Sequence, residues 1–126
     1  MLMRLVLVAA VLAPAVVDAD KTFSKGTGET WDCATDAVVT IKTAKGTYGF
    51  HGECKRITIT GGKNAVSIGT VGKLVVSGSD NLIDVDQVDA IVVNGARNKV
   101  TWKTAGTGDK PKITAGSKTN HVTKSK

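Results

Sequence analysis

The chain is 126 residues long, carries a net charge of +6 and contains 14 glycines. That length bounds the answer to one ordinary domain. Two cysteines and two histidines, with neither a CxxC pair nor a Cys/His cluster, leave no zinc ligand set, and an aromatic share of 4% leaves little to stack nucleic-acid bases on.

In chain order, the opening MLMRLVLVAAVLAPAVVDAD has a basic start at Arg4, an apolar run from Leu5 to Val17 and a small-residue site at Val17-Asp18-Ala19. This is the layout of a secretory signal peptide, and it is too short and too weakly flanked for a stable membrane span. Residues 1–19 are therefore expected to be removed, leaving 20–126 as a single domain in an oxidising space, periplasmic or extracellular, with no transmembrane segment in the mature chain. No cysteine follows the apolar run to carry a lipid. Outside the cytosol a lone pair of cysteines is expected to join, so Cys33 and Cys54 are the candidate disulfide; two buried free thiols are the alternative.

From residue 57 onward the sequence repeats. Gly61, Gly78 and Gly95 are 17 apart, as are Asn64, Asn81 and Asn98. The apolar sets Ile57/Leu74/Ile91, Ile59/Val76/Val93, Val66/Ile83/Val100 and Ile68/Val85/Trp102 keep the same step. Each unit has two alternating runs, the period-two signal of a half-buried strand, with a GxxN turn between them. An antiparallel meander gives no reason for one residue type to return in one register. Stacking successive coils in parallel does, because neighbouring coils lie about 4.8 Å apart and each position sits over its equivalent. The expected fold is all-β: a short right-handed parallel β-helix, a β-solenoid with coils of about 17 residues. Asn is expected to take the left-handed turn conformation while its amide bonds the next Asn, and Gly to allow the bend.

The ends should be atypical. Val39, Ile41, Tyr48 and Phe50 continue the inward rows downward, Gly46 stands where an Asn is expected, and Phe23 and Trp31 are candidate covers. Cys54 falls at the corner later held by Val71 and Val88, so Cys33 is expected one coil below it. Beyond Trp102 the connection TAGTGDKPK is five residues longer than its predecessors, and Ile113, Ala115, Asn120 and Val122 form a thin last coil.

The run from Cys33 to Gly52-Glu53-Cys54, then three GxxN coils, a Pro-Lys-Ile connection and the closing SKTNHVTK, resembles the bacterial secreted domain-of-unknown-function family 3060 over about residues 31–124. The resemblance implies a small β-helical domain in exported envelope proteins, with no established activity. The chain departs from the pattern at Gly46 and at Gly116, which is four rather than three residues before Asn120.

Candidate chemistry is sparse. Asp80, Asp84, Asp86 and Asp89 share one coil, and Asp84 and Asp86 point outward together, an arrangement that suits a hard cation or acid/base work. Their stacked neighbours, Ser67 and Gly69 below and Thr101 and Lys103 above, offer few further ligands, so a solvated face with an Asp86–Lys103 pair is expected instead. His51 is expected at the surface and His121 in the last coil, neither beside a nucleophile. From Arg97 onward there are eight Lys/Arg against one Asp. This basic end points to an anionic envelope polymer, with Lys103, Lys110 and Lys112 as candidate contacts, or to another envelope protein; it equally suits a charged cap against end-to-end pairing. Nucleic acid is disfavoured. Ice-type binding needs a persistent outward Thr row, and Thr58 and Thr60 give way to Val75/Ser77 and Val92/Asn94. The expectation is a secreted, non-enzymatic structural or binding module of the cell envelope without a cofactor, the alternative being a polysaccharide-cleaving β-helix.

Overall fold

The computed structural model describes residues 20–125; the expected signal segment, 1–19, lies outside the described residues. Among the described residues there are nine strands: β1 (Asp20–Phe23), β2 (Thr30–Asp32), β3 (Val38–Ile41), β4 (Thr47–Ile59), β5 (Ala65–Val76), β6 (Leu82–Val93), β7 (Lys99–Thr104), β8 (Lys112–Ala115) and β9 (His121–Lys124). Every pairing between them is parallel, and the described residues contain no helix.

The chain is thus a β-solenoid. Each complete coil has a first wall (Ala65–Ile68 in β5), a short segment around Val71, a second wall (Lys73–Val76) and a turn that starts the next coil. The second wall stacks β1, β3, the end of β4, β5, β6 and β8 in that order. The first stacks β2, the start of β4, β5, β6, β7 and β9.

Coil length varies along the stack. Val39 pairs with Ile57 and Tyr48 with Val66, 18 apart, Val66 with Ile83 and Ile83 with Val100, 17 apart, and Ile91 with Ile113, 22 apart. The five extra residues lie in the connection between Thr104, the end of β7, and Lys112, the start of β8.

Inward side chains form columns with no gaps. Val39, Ile57, Leu74 and Ile91 are fully buried in one column and Ile41, Ile59, Val76 and Val93 in the next. On the first wall Ile83, not Leu82, takes the inward position: Ile83 is 0% exposed and Leu82 53%. Burying a Val, Leu or Ile side chain contributes roughly 1.5–3 kcal/mol, so these columns supply most of the drive for stacking. At the lower end Phe23, Trp31, Tyr48 and Phe50 pack edge-on or stacked, with ring centroids 5.1 to 6.3 Å apart. A disulfide joins Cys33 to Cys54 there, Cα atoms 5.0 Å apart, with Cys33 one coil below.

The turns correct the sequence reading. The non-glycine residues with left-handed backbone are Lys45, Lys63, Asp80 and Arg97, each immediately before the Gly46 or Asn position, and not the Asn residues themselves. Nor are Gly61, Gly78 and Gly95 left-handed. Their requirement is close approach: a Cβ on Gly78 would fall 1.7 Å from the Gly61 carbonyl oxygen, and one on Gly95 would fall 1.5 Å from that of Gly78. The space a side chain would need is taken by the carbonyl of the coil beneath.

That carbonyl is what the Asn side chain reaches. Asn98 Nδ2 donates to the Gly78 carbonyl (2.9 Å) while its Oδ1 accepts from the Asn81 N–H (3.0 Å). Asn81 holds Gly61 and Asn64 in the same way, and Asn64 holds Thr43 and Gly46. Each Asn therefore clips onto the backbone of the turn below, satisfying one buried donor and one buried acceptor. Direct amide-to-amide bonds are added at Asn81–Asn98 (3.0 Å) and Asn98–Asn120 (3.1 Å).

Both departures from the motif have a physical explanation. At Gly46 a Cβ would lie 2.7 Å from the Tyr48 ring, which occupies the ladder's place and bonds through its hydroxyl to Thr43. At the top, the 22-residue step puts Ser117, not Gly116, over Gly95, so Asn120 continues the ladder and clips onto Gly95 (2.8 Å) and Asn98 (3.0 Å).

Candidate functional site

With the inward positions of the complete coils filled by apolar side chains, Cys and the Asn ladder, a binding function has to lie on outward rows. On the first wall one such row runs Thr30, Gly49, Ser67, Asp84, Thr101, Thr123. The next contains Asp32, His51, Asp86 and Lys103. Because Gly49 and Gly69 have no side chains, a shallow depression of about 310 Å³ forms between Thr30 and His51 on one side and Asp84 and Asp86 on the other.

Its polar groups are already engaged. Asp84 accepts from the Thr101 hydroxyl (3.0 Å), Asp86 lies 3.5 Å from the Lys103 ammonium, and His51 Nε2 lies 3.6 Å from Asp32. Asp86 and Lys103 stand one coil apart in the same outward row. Asp80 belongs to a different part of the coil. It sits at a left-handed turn position under Arg97, bonded to it twice (2.8 and 3.1 Å). The Arg97 hydrogen bonds hold the Asp80 carboxyl below its ordinary value, against a small opposing effect of burial and with help from the charges of Arg97 and Lys63. Among the described residues no group of three or more His, Cys, Asp and Glu is gathered as a metal site would require.

The three candidate lysines are not brought into one patch. Lys103 is the penultimate residue of β7 on the first wall and is paired with Asp86. Lys110 is exposed in the long connection, and Lys112 begins β8 on the second wall. Lys112 instead joins a row that crosses the coils: Asp20, Val38, Arg56, Lys73, Ala90, Lys112. Arg56, Lys73 and Lys112 are exposed, and among the described residues none of the three is in an ion pair. Asp20, Val38, Lys55, Arg56 and Lys73 line a depression of about 450 Å³ along this row.

Beside it runs a second row that the sequence reading understated. Thr22, Thr40, Thr58, Val75, Val92 and Thr114 are in register through all six layers of the wall. A 17-residue step finds only its Thr58–Val75–Val92 part. The lower coils step by 18 and the last by 22, so the outer threonines are out of phase with the repeat. A third row, Thr60, Ser77 and Asn94, is exposed and polar.

Among the described residues no helix is long and apolar enough to cross a membrane. No curated protein and no solved structure matches the chain. The profile of one family, described as "Protein of unknown function (DUF3060)", matches residues 41–83 and again 63–119. The overlapping matches have the form expected of a repeat that can be aligned in more than one register, and together they span more than half of the chain and all of the complete coils. By those coils, with their Gly and Asn positions, the chain belongs to the DUF3060 family of proteins of unknown function.

Proposed function

We propose that the mature chain is an exported, non-enzymatic module of the bacterial cell envelope that binds an anionic polymer, an anionic glycan first among them. The observation that carries this reading is the unneutralised charge on a flat, rigid sheet face. Arg56 and Lys73 stand directly opposite one another in adjacent coils, an arrangement unfavourable for like charges, and no acidic side chain has been placed between them. Two other outward cations are neutralised by a carboxylate in the adjacent coil, Arg97 by Asp80 and Lys103 by Asp86. The basic opening segment, the disulfide and the resemblance to exported proteins support the location.

The competing reading, a polysaccharide-cleaving β-helix, would use Asp84, Asp86 and His51 around the first-wall depression. It is disfavoured because Asp84 is hydrogen-bonded to Thr101, Asp86 faces Lys103 and His51 faces Asp32, so no pair of carboxylates is turned together onto a substrate. Protein purified after export, passed over immobilised polygalacturonate and neutral dextran, separates the two. The binding module is retained on the polyanion, elutes as salt rises and releases no oligosaccharide. Loss of all retention overturns the proposal; release of reducing ends favours the enzyme.

A further inference from the structure

We infer that the ligand is a linear polysaccharide with regularly spaced anionic groups, and that it lies along the solenoid axis on the second wall rather than at the basic C-terminal end. The inference rests on the binding role proposed above and deepens it by assigning the face, the direction and the contacts. Three observations carry it.

The first is spacing. Arg56 and Lys73 are one coil apart and Lys73 and Lys112 two, with Ala90 between. At about 4.8 Å per coil the cations span roughly 14 Å in a straight line. A rod-like chain with repeated charges meets such a row at several points, whereas a small anion meets one.

The second is the floor. Parallel to the cations run the half-buried Thr40, Thr58, Val75 and Val92, offering hydroxyls and methyl groups in register, and beyond them the exposed Thr60, Ser77 and Asn94. Hydroxyls and an amide suit sugar hydroxyls, and the methyl groups suit the apolar faces of sugar rings. Nucleic acid would call for exposed rings instead. The aromatic side chains of the described residues are buried in the core or, for Trp31, packed against it.

The third is the boundary. In the same row, two coils below Arg56, stands Asp20. Its carboxylate repels a polyanion, so the bound chain extends from Arg56 upward to Lys112.

The test measures binding of exported protein to a size series of galacturonate oligomers, with dextran sulfate and single-stranded DNA as comparison probes. Affinity is expected to rise at least about tenfold between oligomers too short to reach from Arg56 to Lys112 and those that span the row, then to level off. An Arg56→Gln/Lys73→Gln/Lys112→Gln variant removes three exposed charges. It should keep the wild-type melting temperature and lose roughly tenfold or more in affinity for the spanning oligomer. A Lys103→Gln/Lys110→Gln/Lys118→Gln variant removes the same charge from the end of the array and should lose less than about threefold. Equal losses in the two variants, affinity independent of length, or tighter binding of DNA than of glycan overturns the axial site while leaving a polyanion-binding module. Absence of binding to every polyanion overturns both.

Discussion

Replacing Asn81 with Ala tests what holds the turns. The Asn81 amide is 1% exposed, its Oδ1 accepts the Asn64 N–H at 3.0 Å, and its Nδ2 donates to the Gly61 carbonyl at 3.1 Å. Truncation strands both backbone groups in the stack, the Asn64 N–H buried and the Gly61 carbonyl part-buried. A buried group left without a partner costs about 1–3 kcal/mol, so after partial relaxation the variant should lose about 2–4 kcal/mol. For a chain of this size that is a fall in Tm of roughly 10–25 °C. Asn120→Ala strands an equivalent pair, but on the last coil of the described residues, where Asn120 is more exposed than Asn81, and should lose less than half as much. Asn81→Asp gives a pH signature that a packing defect would not. The carboxylate keeps the acceptor and sets a negative oxygen where Nδ2 met the Gly61 carbonyl and Asn98 Oδ1. Its folded-state pKa is then raised, so its destabilisation grows as pH rises from about 4 toward that value. Gly78→Ala, whose Cβ would meet the Gly61 carbonyl, should be at least as damaging as Asn81→Ala. Thermal unfolding of the four variants at two pH values is sufficient. Equal shifts at Asn81 and Asn120, or an Asn81→Asp variant insensitive to pH, would refute the clip.

Reduction of the Cys33–Cys54 bond, which closes a loop 21 residues apart in sequence, should lower stability by about 3 kcal/mol. Hydrogen exchange should then accelerate in β1 and β2, with β5 and β6 still protected; uniform acceleration would mean the bond does more than clamp the lower end. The Asp80 carboxyl, held low by Arg97, should titrate by NMR below the ordinary carboxylate value, and Arg97→Gln should return it toward that value. Because the folded-state pKa is the lower one, the pair's contribution is present above about pH 4 and is lost below it, so wild type and Arg97→Gln should converge in stability as the pH falls.

The inward columns were legible in the sequence because stacking makes each inward side chain the neighbour of its equivalent, and a column with no voids requires the same class of residue at every step. The turn geometry was only half legible. GxxN marked the position, yet spacing cannot distinguish a glycine needed for its torsion from one needed because a carbonyl passes through the space of its Cβ. The left-handed residues escaped notice because Lys63, Asp80 and Arg97 share no side-chain chemistry. What they share is an N–H that Ser79, Ala96 or Thr119 of the coil above receives. The basic row was missed for another reason. Read along the chain, positive charge gathers after Arg97; read across the coils, Arg56, Lys73 and Lys112, far apart in sequence, fall in one row of the wall.

An array that grows by repeating one coil also has to stop, and the way it stops bears on where a ligand can sit. At the bottom, the inward position below Val39 is Lys21, whose ammonium lies 5.1 Å from the Phe23 ring centroid and 4.9 Å from that of Trp31. At the top, the inward position above Trp102 is Lys124, 5.7 Å from its ring. Where the next hydrophobic residue would extend the core, the chain places a cation over an aromatic ring, a contact worth roughly 0.5–1 kcal/mol when exposed. A second molecule docking end to end would have to bury that charge without a counter-ion, which costs far more. The β8 edge leaves Ile113 39% exposed, but Pro111 lacks the N–H for pairing and Lys112 adds charge at the strand's start. Both ends are thus built to refuse a neighbouring strand. The walls are paired parallel sheet, and the second holds three cations, Arg56, Lys73 and Lys112, in one row spread over four coils. A solenoid closed in this way presents its repeat sideways, to a partner that itself repeats.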